Sequence, residues 1–117
     1  MIRLLRWVSG SGTLPATGLK PDTRLASTAK TDTVAYLGVW APDAAACGTV
    51  DQAGATGYVV ISALSVRQGT EIALVSPTAL VDGKASLGTA EAPLEIAMPT
   101  PETITVNGGA PLVRCSP

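Results

Sequence analysis

The stretch Thr103-Ile-Thr-Val-Asn-Gly-Gly-Ala-Pro-Leu-Val-Arg-Cys115 sets the style of the whole chain. Its first four residues alternate polar and apolar, so that Ile104 and Val106 share one face of a strand. Asn107, Gly108 and Gly109 tolerate the positive φ angles of a tight turn, and residues 112–115 then return as a partner strand. Working backwards, the same pattern recurs. Residues 94–98 (Leu-Glu-Ile-Ala-Met) lie between Pro93 and Pro99, and the spacing predicts that Pro99 and Pro101 end that strand. Asp82-Gly83 is a strong hairpin signal between residues 79–81 and 84–87. Gln68-Gly69 turns into a strand at 71–76, which Pro77 breaks. Residues 58–66 form the longest apolar run and read as one buried strand. Residues 33–40 (Thr-Val-Ala-Tyr-Leu-Gly-Val-Trp) are rich in β-branched and aromatic side chains and stop at Ala41-Pro42-Asp43. Short helices are the competing reading at 41–46 and 77–81.

Seven or eight short strands at this spacing predict an all-β fold, a small antiparallel sandwich or barrel of about seven strands. Among 117 residues, 12 Gly and 9 Pro interrupt nearly every window of helix length, which argues against a helical bundle. An apolar fraction of 46% against 15% charged residues excludes a disordered chain. No apolar run reaches the roughly 18–20 residues of a membrane helix.

Ahead of the body, residues 9–32 carry Gly10, Gly12, Pro15, Gly18 and Pro21 among Ser, Thr and Ala. They read as an extended arm, with residues 1–8 (Met-Ile-Arg-Leu-Leu-Arg-Trp-Val) as a short anchor at its end. The expected division is therefore an arm at 1–32 and a β domain at 33–117. Charge follows the same line: residues 1–30 carry a net +4 and residues 31–117 a net −5. Such asymmetry is compatible with an arm that meets an acidic partner and with an ordinary solvated tail. The basic groups are too sparse, and the four aromatics too few, for a nucleic-acid groove.

The chain has no histidine, which removes the usual Ser-His and Cys-His nucleophile pairs and the imidazole ligands of zinc. Two cysteines cannot build a four-thiolate site, acids are scattered singly, and neither Gly10-Ser-Gly12 nor Gly83-Lys84 has the context of a phosphate loop. Glu91 and Glu95 are the nearest carboxylate pair, and Pro93 separates them. No cofactor, metal or catalytic residue is assigned, and the expectation is a protein that is not an enzyme. Leu14-Pro-Ala-Thr-Gly18 spells the sortase pattern, but with a hundred residues behind it the segment reads as a turn-rich linker. Cys47 and Cys115 are compatible with a disulfide closing a loop of about 69 residues. The expectation favoured here is a buried, reduced pair in a cytoplasmic product, because no secretory signal core develops past Arg6. Trp40 closes an apolar strand as core or core rim. Trp7 sits apart from any core of its own segment, where an exposed indole calls for a docking surface.

In layout, a Gly/Pro/Thr-rich arm followed by an Ala/Gly/Thr/Val-rich β body of low charge, the chain resembles small bacteriophage head-decoration (cement) proteins. The resemblance implies an arm that adds a strand to a capsid edge. Ile2, Arg3, Leu5, Arg6 and Trp7 would contact the partner, the arginines on acidic lattice surface and Trp7 in a pocket. It further implies a homo-oligomer, with a trimer favoured, bound to the major capsid or another virion protein in the virion, made in the bacterial host cytoplasm. Neither nucleic acid nor membrane is an expected partner. A tail, neck or fibre component shares these features. A free-standing β-sandwich binding module with Cys47 and Cys115 bridged is the third expectation.

Overall fold

In the computed structural model, residues 12–15, 17–29, 34–68, 71–75, 77–89 and 93–116 are described. Their frame is an antiparallel sheet of eight strands curled into a half-barrel. The first meander comprises β2 (Gly38–Ala41), β3 (Val59–Ile61), β4 (Ser65–Gln68) and β5 (Glu71–Leu74). The second comprises β6 (Lys84–Leu87), β7 (Leu94–Thr100), β8 (Thr103–Val106) and β9 (Leu112–Ser116). Pairing of β2 with β9 joins the two, giving the order β5-β4-β3-β2-β9-β8-β7-β6. Within each meander sequence-adjacent strands pair, β2 and β3 across the long connection at 42–58 that carries α2, and the β5–β6 connection runs between the two edges.

The period-2 alternation sorts side chains into two cores. Inside the curl lie Tyr36, Trp40, Val59, Ile61, Val66, Val75, Leu87, Leu94, Ile96, Ile104 and Leu112. On the outer face Val39, Ala41, Val60 and Cys115 meet Leu14, Ala26, Cys47 and Val50. That outer layer consists of three short elements: β1 (Gly12–Thr13), α1 (Pro21–Ser27) and α2 (Ala44–Cys47). Trp40 is fully buried, and its Nε1 donates to the Tyr36 carbonyl at 3.0 Å.

Several strands follow the sequence reading, and the departures have local causes. The apolar run 58–66 is not one strand but the β3–β4 hairpin. Ser62 reverses the chain there, its Oγ accepting from the amides of Leu64 (3.2 Å) and Ser65 (3.1 Å). β7 does not end at Pro99 but runs to Thr100, with a register shift between Ala97 and Thr100 that accommodates the proline. Residues 79–81 contribute one bridge, Val81 to Lys84, rather than a strand. The turn between them has the expected residues, Asp82 at φ 54° and Gly83 at φ 77°. The short helix allowed at 41–46 is α2, where the Asp43 side chain accepts from the Ala46 amide at 2.8 Å. The alternative helix at 77–81 does not form among the described residues.

The largest difference concerns the arm. Residues 12–15 and 17–29 lie on the body: β1 pairs in parallel with β9, Leu14 is buried, and α1 packs on β2 and β3. Gly12 is required there, because a Cβ would stand 2.0 Å from the Ala44 carbonyl oxygen and 2.7 Å from Cys47 Cβ. The sortase-like stretch is thus anchored at its first residue, whose amide donates to Ser116 O at 2.8 Å. Any free arm is confined to residues ahead of Gly12. Residues 1–8 and the boundary expected at 32/33 lie outside the described residues.

Candidate functional site

Two arginines, one buried and one half-buried, are held by internal partners. Arg67 on β4 points to the outer face and is only 5% exposed. Its Nε donates to Asp22 Oδ2 (2.8 Å), Nη2 to Thr23 Oγ1 (2.7 Å) and Asp51 Oδ1 (2.8 Å), and Nη1 to Tyr58 OH (3.0 Å). Asp51 accepts in turn from the Lys20 amide (2.8 Å) and Thr23 Oγ1 (2.6 Å). It thereby satisfies an orphan N–H at the start of α1, whose own Lys20 makes no side-chain cap. Burial alone would raise the Asp51 pKa, but the Lys20 and Thr23 hydrogen bonds and the Arg67 charge outweigh it, and the net direction is down. Arg67 is likewise held in its charged form: burial opposes it, but Asp22, Tyr58 and Asp51 prevail. The cluster clamps α1 onto β4.

Arg114 performs a similar task inside the curl. It stacks on Trp40 with its guanidinium carbon 4.3 Å from the ring centroid, and donates to the carbonyls of Leu37 (2.9 Å) and Ala35 (2.7 Å). Burial lowers its pKa, with Glu102 at 3.4 Å opposing the shift.

Cys47 and Cys115 are joined in a disulfide across a Cα–Cα distance of 5.5 Å, which corrects the favoured expectation of reduced thiols. The bond ties α2 to β9 beside β1, and both cysteines are buried. Of the carboxylate pair, Glu91 lies outside the described residues, and Glu95 Oε2 accepts from Ser86 Oγ at 2.7 Å. Among the described residues no group of three or more His, Cys, Asp or Glu side chains could hold a metal ion, and no helix is long and apolar enough to cross a membrane. The proposed contact residues Ile2, Arg3, Leu5, Arg6 and Trp7 lie outside the described residues.

What the internal pairs leave exposed is the β5 edge. Across the β4–β5 ladder Arg67 faces Ile72 and Ser65 faces Leu74, so Ile72 and Leu74 project on the same outer face as the clamp. Ile72 is 58% and Leu74 78% exposed. Leu64, 67% exposed, stands at the end of this strand, its carbonyl accepting from the Val75 amide at 3.0 Å. Leu25, 58% exposed, lies one helical turn from Asp22, whose carboxylate meets Arg67 of β4. Ile72 and Leu74 are two of the five large apolar residues exposed among those described; Leu25, Leu64 and Val81 are the others, and Leu64, opposite Val75, falls on the inner side of the ladder. A groove of about 650 Å³ runs beside the strand toward Leu94 and Asn107, where the half-barrel stays open.

None of these patch residues was singled out from the sequence. Residues 71–76 are readable as a strand, but whether a strand lies at an edge depends on the order of the whole sheet. No family model, no curated protein and no solved structure matches this chain.

Proposed function

We propose that this chain is a non-enzymatic structural protein that acts by associating with protein surfaces, as the phage head-decoration proteins it resembles do. One observation carries the reading: among the described residues the sheet ends in β5, whose outer edge pairs with no other strand and carries the exposed Ile72 and Leu74. Contiguous exposed apolar patches on small proteins mark interaction sites. The ionisable groups that burial brings together, Arg67, Asp22, Asp51, Arg114 and Glu102, are engaged in holding elements of the fold, which supports a role without catalysis.

In this proposal the β body self-associates, and Ile2, Arg3, Leu5, Arg6 and Trp7 hold an acidic surface of the major capsid protein or another virion protein. Charge supports that division, since the first thirty residues are basic and the remainder acidic. The test is cosedimentation of the full chain with capsids and tails assembled from the proteins encoded beside it. Saturable binding that the double change Arg3→Glu, Arg6→Glu abolishes, with melting unchanged, is the expected result. Absence of binding to every capsid or tail component overturns it.

A second reading is favoured by the Cys47–Cys115 bond. Stable disulfides belong to oxidising compartments, and a free-standing binding module from such a compartment would carry one. Mass spectrometry after alkylation of denatured, non-reduced protein separates the two. An unmodified chain supports the oxidised module, and two alkylated thiols remove it.

A further inference from the structure

We infer that β5 is the contact strand of a twofold homodimer, in which the β5 edges of two copies pair antiparallel about Ala73. The inference rests on the proposed self-association of the β body and gives it a strand, a register and a copy number.

The hydrogen-bond phase of the ladder sets the register. The Val75 amide donates to Leu64 O at 3.0 Å, so 75/64 is a hydrogen-bonded pair, and with a period of two so are 73/66 and 71/68. The backbone N–H and C=O groups of Ile72 and Leu74 therefore point away from the sheet. Pairing about Ala73 sets Ile72 of each copy opposite Leu74 of the other. Each such pair exchanges two bonds, and all four outward groups of each copy find partners. Ala73 then faces its own symmetry mate in the close, non-hydrogen-bonded position, where a small side chain fits.

Side chains agree with this register. Ile72 and Leu74 form two cross-strand apolar pairs on the outer face. Glu71 stands opposite Val75, so no like charges are directly opposed. A partner recognised by charge would find one carboxylate on this strand, whereas recognition through backbone and apolar contact is met by a second copy through symmetry alone.

Area sets the strength. A large aliphatic side chain removes on the order of 100 Å² from water when buried. Two on each copy give roughly 400 Å² in total, far below the range of permanent interfaces, so that the four backbone bonds carry much of a weak, transient contact. The dimer is therefore concentration-dependent. An antiparallel edge pair is isologous and closes at two copies, which replaces the trimer expectation at this edge.

The test is sedimentation of the full chain from low micromolar to several hundred micromolar, with backbone amide exchange followed in parallel. The wild type shifts from monomer to dimer, and the Ile72 and Leu74 amides gain protection with concentration. Leu74→Lys places a charge on an edge that is already exposed. It weakens dimerisation by at least about tenfold without altering melting. Ala73→Cys cross-links into a dimer under mild oxidation, and Ile72→Cys and Leu74→Cys do so far less, because each faces the other residue. A chain that stays monomeric throughout, a dimer indifferent to Leu74→Lys, or cross-linking strongest away from Ala73 overturns the inference. If the Ile72 and Leu74 amides gain protection only when capsid or tail protein is added, the strand accepts a foreign partner: the dimer is then wrong and the particle role stands. A β5 dimer that binds no capsid or tail component leaves the dimer standing and removes the particle role.

Discussion

At the β6 edge the chain folds back on itself. Val81 and Lys84 exchange both backbone bonds, at 2.8 and 3.1 Å, so the outward N–H and C=O of Lys84 are occupied by the preceding turn. Met98 N donates to Gly83 O, which fixes that phase and leaves Ser86 as the next residue of β6 with outward backbone groups. The Lys84 charge adds a further guard against strand addition. At the β5 edge nothing comparable occurs. Ile72 and Leu74 both direct backbone groups outward, no proline or lysine interrupts residues 71–75, and the flanking side chains are apolar. One sheet therefore carries a protected end and an unprotected one. Such edges are usually blunted because they template pairing with another chain, and it is the edge left open that the proposed association uses.

The largest effect is expected from removing the clamp on β4, the strand that pairs with β5. Arg67→Ala leaves Asp51, whose side chain is fully buried, and Asp22 without their cation. The expected loss is about 3–5 kcal/mol of unfolding free energy, read by urea titration. Protection should fall in β4, β5 and α1 before it falls in β6–β8. Equal loss across both meanders would mean that the clamp does not act selectively on the β5 side.

Next in size is the seam between the meanders. The disulfide closes a loop with a sequence separation of 68. Changing both cysteines to serine should cost about 2–4 kcal/mol in denaturant unfolding while leaving the β5 association in place, since both cysteines lie on β9 and α2. Loss of dimerisation in this variant would tie the edge to the seam.

Acid acts on the same clamp with a smaller effect. Because the Asp51 pKa is lowered on folding, its contribution is fully present above the unfolded value of about 3.9 and is lost as pH falls through the lower folded value. Melting temperature should therefore fall steeply below about pH 4. Asp51→Asn should flatten that limb while lowering stability at neutral pH. An unchanged acid limb would assign the loss to other carboxylates.

The fold class and most hairpins were legible because they are local. Asn107-Gly108 and Asp82-Gly83 dictate their turns whatever surrounds them, with Asn107 at φ 53° and Asp82 at φ 54°. The 58–66 run hid a hairpin because its turn is made by a serine hydroxyl rather than by glycine or proline. α1 was partly legible: Pro21 at the first turn and Asp22 behind it are helix-start signals. The glycine-rich context obscured them, and what stabilises the helix is Asp51 and Arg67, 29 and 45 positions from Asp22 in the chain. The β5 edge was not legible at all. That residues 71–74 end the sheet follows from β2 pairing with β9, a contact between distant parts of the chain with no local signature.

The smallest expected effect tests the comparison from its protected side. Gly83 sits at φ 77°, in the left-handed region that a Cβ disfavours, and its turn is what occupies Lys84. Gly83→Ala costs about 1 kcal/mol in strain. The more telling change is at the edge itself, because loosening the turn frees the Lys84 N–H and C=O and lengthens the exposed β6 ladder. Amide exchange at Val81 and Lys84 should quicken while Ile72 and Leu74 are unaffected. Lys84 still guards the strand, so Gly83→Ala alone should leave the oligomeric state unchanged. Gly83→Ala combined with Lys84→Val removes both protections and should add a second mode of self-association that Leu74→Lys does not suppress. If the double variant associates no more than the wild type, the difference between the edges lies in their apolar side chains, and the outward backbone groups of β5 are secondary to Ile72 and Leu74.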